Sequence, residues 1–408
     1  MLANLSTGVK QYLIITGNYW AFTLTDGALR MLVVLYFHQL GYPPLQIALL
    51  FLFYEFFGVI TNLVGGWLGA RLGLNRTMNI GLGLQILALA MLLVPAGWLT
   101  VLWVMAAQAL SGIAKDLNKM SAKSAIKTLV PADAQGRLYH WVALLTGSKN
   151  ALKGLGFFIG ALLLTWLGFA GAVLVMALML TLVWIGSLFL LKEELGRMKA
   201  KPKFTDIFSK SRAINVLSLA RFFLFAARDV WFVVALPVYL AQTLGWDFWQ
   251  VGGFMASWII AYGIVQTQAP RFTGKKQGKV PGRTATAGWG LALVFTPLFL
   301  LLGFYLDWQP DTLIISGLLA FGLLFAVNSS VHSFLIVSHA RSDGVSLDVG
   351  FYYMANAMGR LIGTLLSGYV YQVAGLEACL WISAGFILLA ALIALALPRP
   401  EAVTLETR

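Results

Sequence analysis

Apolar runs of about 20 residues recur along the whole 408-residue chain, each long enough to cross ~30 Å of hydrocarbon as a helix. Twelve are read, at roughly 13–40, 44–70, 77–97, 98–122, 137–168, 169–191, 213–244, 247–270, 284–306, 311–338, 345–375 and 376–398. Polar turns separate them. The pattern predicts an all-α membrane protein of twelve transmembrane helices.

Composition agrees with that solvent. Hydrophobic residues make up 59% and charged residues 11%, against about 25% charged in a soluble domain. Mean hydropathy is +0.81. The net charge of +13 would suit nucleic acid if it were spread over one surface, but alternate loops carry it. Arg71 and Arg76, then Lys123, Lys127 and Arg137, the segments 192–212 and 271–283, and Arg341 are basic. The turns between them, such as "HQLGYPP", "VPAGW" and "LGFAG", hold no lysine or arginine. This is the positive-inside pattern. It predicts a multi-pass membrane protein with both termini cytoplasmic, and argues against nucleic acid as a partner. Lys123 and Lys127 are read as solvated lysines at a loop end. A single cysteine, Cys379, and four scattered histidines offer no ligand spacing for a metal. No nucleophile–base spacing or phosphate-binding Gly-rich loop is present, so an enzyme is not expected. "GLGFFIG" (Gly154 to Gly160) is read as helix packing.

The basic loop at 193–212 divides the chain into residues 1–192 and 213–408, which repeat each other weakly. "LGYPPLQI" (Leu40 to Ile47) corresponds to "LGWDFWQV" (Leu244 to Val251), and "NALKGLG" (Asn150 to Gly156) to "NAMGRLIG" (Asn356 to Gly363). Between spans 2 and 3 stands "GGWLGARLGLNR" (Gly65 to Arg76). Repeated six-helix halves and this loop resemble the major facilitator type of secondary transporter, implying two pseudo-symmetric six-helix bundles and alternating access. That family usually has an aspartate where this chain has Ala70, so its usual gating ion pair is not expected here.

Ionisable groups inside the spans need a separate reason, because each costs at least ~3 kcal/mol at the bilayer centre unless it faces protein or water. Counting from the lysine-free turns at ~1.5 Å per residue puts Arg30 and Glu55 ~16 Å deep. Asp26, Lys153 and Arg360 fall at ~22 Å, and Lys115, Arg228, Asp229 and Asn328 at ~24–26 Å. Arg30, Lys115, Lys119, Lys149, Lys153, Arg228 and Arg360 face Asp26, Glu55, Asp116 and Asp229, leaving three positive charges over. Such a surplus requires a water-filled cavity or an anion. Lysine and arginine together suit phosphoryl groups. Those seven cations, with Asn150, Asn328 and Asn356, are the candidate substrate-binding residues. Asp26, Glu55, Asp116 and Asp229 are candidates for coupling or gating, or for purely structural pairing. Neighbours ~100° apart on a helix, Arg228 and Asp229 are not expected to neutralise each other. The reading requires Lys115, Lys153, Arg228 and Arg360 to face a common cavity and not each to be locked to a carboxylate.

Longer segments add a closer resemblance. "TGNYWAFTLTDGALRMLVVLYFHQLGY", "QALSGIAKDLNKMSAKSAIK", "TGSKNALKG" and "ARDVWFVVALPVYL" are similar to the ArsJ family of organoarsenical efflux permeases, most densely over the first 240 residues. The resemblance implies export of 1-arseno-3-phosphoglycerate, made by a functionally linked glyceraldehyde-3-phosphate dehydrogenase, and hence arsenate resistance. It supplies no binding residues. Ordinary organic phosphates or other multivalent metabolite anions would suit the same cations. The chain is expected to work as a monomer, without cofactor or metal. A membrane potential alone could drive export, since each unit charge is worth ~2.3 kcal/mol per 100 mV.

Overall fold

The computed structural model describes residues 7–42, 46–47, 50–131, 134–191, 195–209, 211–273 and 280–398. Lys192, Lys210, Lys275, Lys276 and Lys279 of the basic loops, and Pro43, Pro44 and Leu45 of the first repeat, lie outside these residues. Among the described residues the chain is α-helix with short 3₁₀ turns and no strand. The first four spans form α1 (Thr7–Gln39), α2 (Leu52–Leu72), α3 (Leu74–Met91) and α4 (Val101–Leu129). Spans five and six are two helices that follow each other without a loop, together α5 (Gln135–Leu190), the backbone leaving helical geometry at Gly168. Spans eleven and twelve likewise make up α11 (Val345–Ala394), with the departure at Gly375. Between them lie α6 (Arg212–Phe232) with the short α7 (Ala235–Gln242), α8 (Phe248–Phe272), α9 (Arg283–Tyr305) and α10 (Pro310–His339). Among the described residues seven stretches, α6 and α7 counted together, are long and apolar enough to cross a membrane.

Two departures from the predicted boundaries have local causes. The seventh span breaks at Val233–Val234, four residues before Pro237. Proline has no N–H to donate to residue 233, and its ring crowds that carbonyl. The fourth helix runs on to Leu129 instead of ending near 122, so Lys123 stands inside it.

The repeat is visible in the backbone. Gly41 and Gly245 both take positive φ (82° and 72°) at matching helix ends. Gly168 (φ 67°, ψ −179°) and Gly375 (φ 76°, ψ −174°) turn the chain at matching bends, in a region open essentially to glycine alone. A Cβ at either bend meets nothing within 4 Å, so the constraint is conformational and not steric crowding. Gly168→Ala and Gly375→Ala are each expected to cost ~1–3 kcal/mol, read as a lowered thermal midpoint in detergent. Gly252→Ala, in open helical surroundings, should leave the midpoint unchanged.

Within each bundle glycines seat one helix on another. Gly156 and Gly160 of α5 lie on the backbone of α1 at Leu24 and Ala28; Gly359 and Gly363 of α11 lie on α6 at Phe222 and Ala226. The first of these is the "GLGFFIG" stretch, which therefore packs helices, as its spacing suggested.

The bundles touch at both ends: at the lysine-free face His38 of α1 stacks on Phe248 of α8, ring centres 4.5 Å apart. One face of the molecule, the terminal face, holds the start of α1 against the end of α4, and the segment after α5 against the turn between α2 and α3. Near it Gly66 of α2 meets Ser346 and Gly350 of α11, while Gly147 of α5 meets Gly263 and Thr267 of α8. The Ser346 hydroxyl donates to the Gly66 carbonyl at 2.8 Å. Apolar packing agrees: the first bundle's core continues into Phe334, Ile336 and Val349 of the second bundle's terminal-face ends. The rest of the second bundle has its own core around Trp231, Phe321 and Phe325. The molecule is shut at the terminal face.

Candidate functional site

A cavity of about 250 Å³ lies where the two bundles meet, walled by α1, α4, α5, α6, α8, α10 and α11. Helical spacing delivers its charges. Lys115, Lys119 and Lys123 stand four apart on α4, drifting only ~40° per step, and all three line the wall. On α5 the same spacing aligns Lys149 and Lys153, with Asn150 beside them; on α6 Arg221, Phe225 and Arg228 share one face. Asp26 and Arg30 come from α1, and Asn356 and Arg360 from α11. Of the ten candidate binding residues, nine line this cavity. Asn328 does not: it is buried on α10 close to Gly290 of α9, while its neighbour Ser329 faces the cavity.

The carboxylates sit among these cations and are shared. Asp116 lies 2.5 Å from Lys119 and 3.7 Å from Lys115. Asp229, fully buried, takes Arg228 at 2.5 Å and Arg360 at 3.2 Å. Glu55 takes Arg360 at 3.0 Å and Arg30 at 3.5 Å. Asp26 accepts from the Tyr54 hydroxyl at 2.7 Å and lies 3.8 Å from Lys153. Two expectations are corrected here. Arg228 does pair with its neighbour Asp229, because the long arginine chain bends back around the helix where a shorter one could not. Each of Lys115, Lys153, Arg228 and Arg360 also has a carboxylate within 4 Å, so the requirement that these four not each be paired is not met, while the requirement that they face a common cavity is.

The surplus survives that correction, because the structure adds cations. Lys123 is 3% exposed and donates to the Tyr353 hydroxyl across the bundle interface, and is not a solvated loop-end lysine. Lys127 is part-buried and donates to the Ser338 carbonyl at 2.6 Å. Arg221, not anticipated from the sequence, is buried and donates to Asn356 Oδ1 at 2.9 Å and to Ser329. Its spacing with Phe225 and Arg228 on one face of α6 is the signal that could have found it. Nine basic side chains (Arg30, Lys115, Lys119, Lys123, Lys149, Lys153, Arg221, Arg228, Arg360) thus stand against Asp26, Glu55, Asp116 and Asp229, five more basic groups than acidic ones.

Aromatic faces hold several of them. Lys115 Nζ is 3.8 Å from the Tyr54 ring centre, and Phe225 lies 4.0 Å from Arg221 and 4.8 Å from Arg228. Each such contact is worth ~0.5–2 kcal/mol. Two like charges ~6 Å apart repel by ~3 kcal/mol at an effective dielectric of ~20, so rings do not offset five. The arrangement suits a polyanion. It offers nothing for a soft metal: no described group of His, Cys, Asp and Glu could hold an ion, and the buried Cys379 is absent from the cavity wall.

Both bundles reach the site through the same construction. Lys153 and Arg360 each stand fifteen residues before the bend glycine of their helix, and each faces the aspartate of its bundle's first helix, Asp26 or Asp229. Asn150 Nδ2 donates to Gln266 of α8 at 2.5 Å, again joining the bundles.

At the terminal face the glycine-rich loop does what its composition suggested. Gly66 and Gly69 lie against Ser346. No carboxylate stands at Ala70; its carbonyl accepts from Met198 N at 2.9 Å, and Trp67 Nε1 donates to Pro202 O at 3.2 Å, so the segment joining the bundles straps the gap.

No curated protein sequence matches the chain. Solved structures do. The human organic anion transporter MFSD10 (TETRAN) is 18% identical, with a TM-score of 0.75 over 96% of this chain and 100% of that one. A bacterial homologue of the iron transporter ferroportin in an outward-facing state is 15% identical, TM-score 0.71, over 93% and 98%. The E. coli fucose:proton symporter FucP is 13% identical, TM-score 0.72, over 97% and 100%. These likenesses establish the fold. The sequence profile of the Major Facilitator Superfamily matches residues 15–347, and the chain belongs to that family of multi-pass membrane transporters.

Proposed function

We propose that this protein exports a phosphorylated organoarsenical, 1-arseno-3-phosphoglycerate, from the cytoplasm by alternating access, and so confers arsenate resistance. The observation that carries the reading is the excess of five basic over acidic side chains around one cavity between the bundles. A phosphate group brings ~1.5–2 negative charges, and an arsenate ester and a hydroxyl beside it complete a compact polyanion. The ArsJ-like segments supply the arsenical. The terminal face is then the cytoplasmic face of a bacterial inner membrane, as the basic loops require, and a glyceraldehyde-3-phosphate dehydrogenase makes the cargo. Asp26, Glu55, Asp116 and Asp229 act as shared counter-charges whose partners change as the bundles rock, and the bundles divide at 193–212.

A second reading is kept because no group on the wall is specific for arsenic: an ordinary organic phosphate would meet the same ammonium and guanidinium donors. The test is arsenate tolerance in a sensitive bacterial strain that expresses this chain with and without the dehydrogenase, combined with uptake of the arsenical and of 3-phosphoglycerate by everted vesicles. Tolerance that requires both proteins, with the arsenical preferred, is expected. Uptake of 3-phosphoglycerate without any gain in tolerance sinks the arsenical assignment and leaves the anion carrier.

A further inference from the structure

A second hollow stands apart from the central cavity and shares no residue with it. It is a groove of about 460 Å³ on the flank of the second bundle, between α6 and α11, lined by Leu219, Phe222, Phe351, Met354 and Met358. Phe208, on the segment that joins the bundles, lines it at the terminal-face end. Phe222 lies ten residues into α6 and Met358 thirteen into α11. At ~1.5 Å per residue the groove therefore runs ~15–20 Å inward from that face, about the hydrocarbon depth of one leaflet.

One polar group interrupts the apolar wall. Ser218 is 3% exposed, and its hydroxyl lines the groove without a hydrogen-bond partner. A buried donor left unpaired is costly, and hydrocarbon cannot satisfy it. The hydroxyl calls for an occupant with an acceptor ~9 Å below the start of α6.

The mouth of the groove is basic. Lys201 and Lys203 are exposed on the segment leading to Phe208, and Arg212 is exposed at the start of α6. Asp206, the one carboxylate among residues 195–209, already accepts from the Lys203 backbone N–H at 2.8 Å. Phe204 and Phe208 are 57% and 59% exposed. Exposed rings interleaved with lysines suit the boundary of a bilayer, where rings enter hydrocarbon and ammonium groups meet headgroups.

We infer that this groove is a site for an anionic phospholipid of the leaflet at the terminal face: one acyl chain lies between α6 and α11, an ester carbonyl accepts from Ser218, and the headgroup rests on Lys201, Lys203 and Arg212. The lipid joins the end of the connecting segment to the second bundle. The contacts of Met198 and Pro202 with α2 join its start to the first.

The experiment measures lipid binding to the purified, delipidated full chain by native mass spectrometry, using a phosphatidylglycerol and a phosphatidylcholine with the same acyl chains. A dissociation constant at least ~10-fold lower for phosphatidylglycerol is expected, because three basic side chains face its net charge. Charge reversal at two exposed positions, Lys201→Glu with Lys203→Glu, should remove that preference. Ala355→Trp, which fills the groove from α11, should weaken both lipids alike. Should Ala355→Trp fail to fold, the exposed lysine pair decides alone. Equal affinity of the wild type for the two lipids overturns the assignment, as does a phosphatidylglycerol preference that survives the lysine reversal. Wild-type affinity in folded Ala355→Trp puts the lipid elsewhere and also overturns it. A wild-type dimer that Ala355→Trp disperses would give the groove to a second copy of the chain instead.

Discussion

Replacing Arg360 with alanine is expected to lower transport of the organic anion by ~100- to 1000-fold while the protein stays in the membrane at wild-type abundance. Arg360 holds two carboxylates at once, Glu55 of the first bundle through Nη2 at 3.0 Å and Asp229 of the second through Nε at 3.2 Å. Asp229 keeps Arg228 and Glu55 keeps Arg30, so what is lost is the bridge between the bundles: two charge-assisted hydrogen bonds at the lower end of ~1.5–3 kcal/mol each, or two to three decades at ~1.4 kcal/mol per decade. Arg360→Lys restores the charge but not the fork, and a point ammonium cannot span both carboxylates. An intermediate loss of ~10-fold is therefore expected of it. Lys153→Ala at the equivalent place in the first bundle should cost less, since its contact with Asp26 is 3.8 Å long. Vesicle uptake normalised to membrane abundance reads all three. Wild-type uptake from both alanine variants would take Arg360 and Lys153 out of the site.

The depth of that pair is legible in the sequence alone. Both stand fifteen residues before a glycine in a lysine-free turn, and depth counting puts them in one slab. Depth is the quantity a sequence of helices carries well, because rise per residue is nearly constant. Azimuth is carried poorly. Asn328 lies at the right depth yet points towards α9, and Ser329, ~100° further round, takes the cavity wall instead. Lys123 departs from its expected place for a different reason: the apolar run ends near 122, but α4 continues as polar helix to Leu129, stabilised by contacts from the other bundle. Arg221 escapes a charge count because its counter-groups, Asn356 and Ser329, are uncharged and lie over a hundred residues away. The repeat, in contrast, rests on a few short sequence matches and reappears as paired bends at Gly168 and Gly375.

Substituting Gly66 with valine is expected to abolish transport while leaving anion binding intact. A Cβ at Gly66 would stand 2.5 Å from the Ser346 carbonyl and 3.1 Å from Gly350 Cα, both backbone atoms of the opposite bundle. Neither can swing away as a side chain would, so the two helices must separate. Overpacking of this kind costs ~1–3 kcal/mol, and the cost falls only on the conformation in which the terminal face is shut. That is enough to move the equilibrium between the two states by ~10- to 100-fold. Gly147→Val, facing the Gly263 carbonyl at 2.5 Å on the second interface, should act alike. The chain has a single cysteine, buried Cys379, so a clean reporter can be built: Thr146→Cys on the cavity wall in a Cys379→Ser background. Its labelling by an impermeant thiol reagent applied at the terminal face should rise at least ~10-fold in either valine variant. Gly288→Val, where a Cβ meets nothing within 4 Å, is the control. Unchanged labelling together with lost transport would mean that Gly66 serves the fold and not the gate. Unchanged transport would show that the strap from Met198 to Ala70, and not the glycine contact, sets how closely the bundles approach.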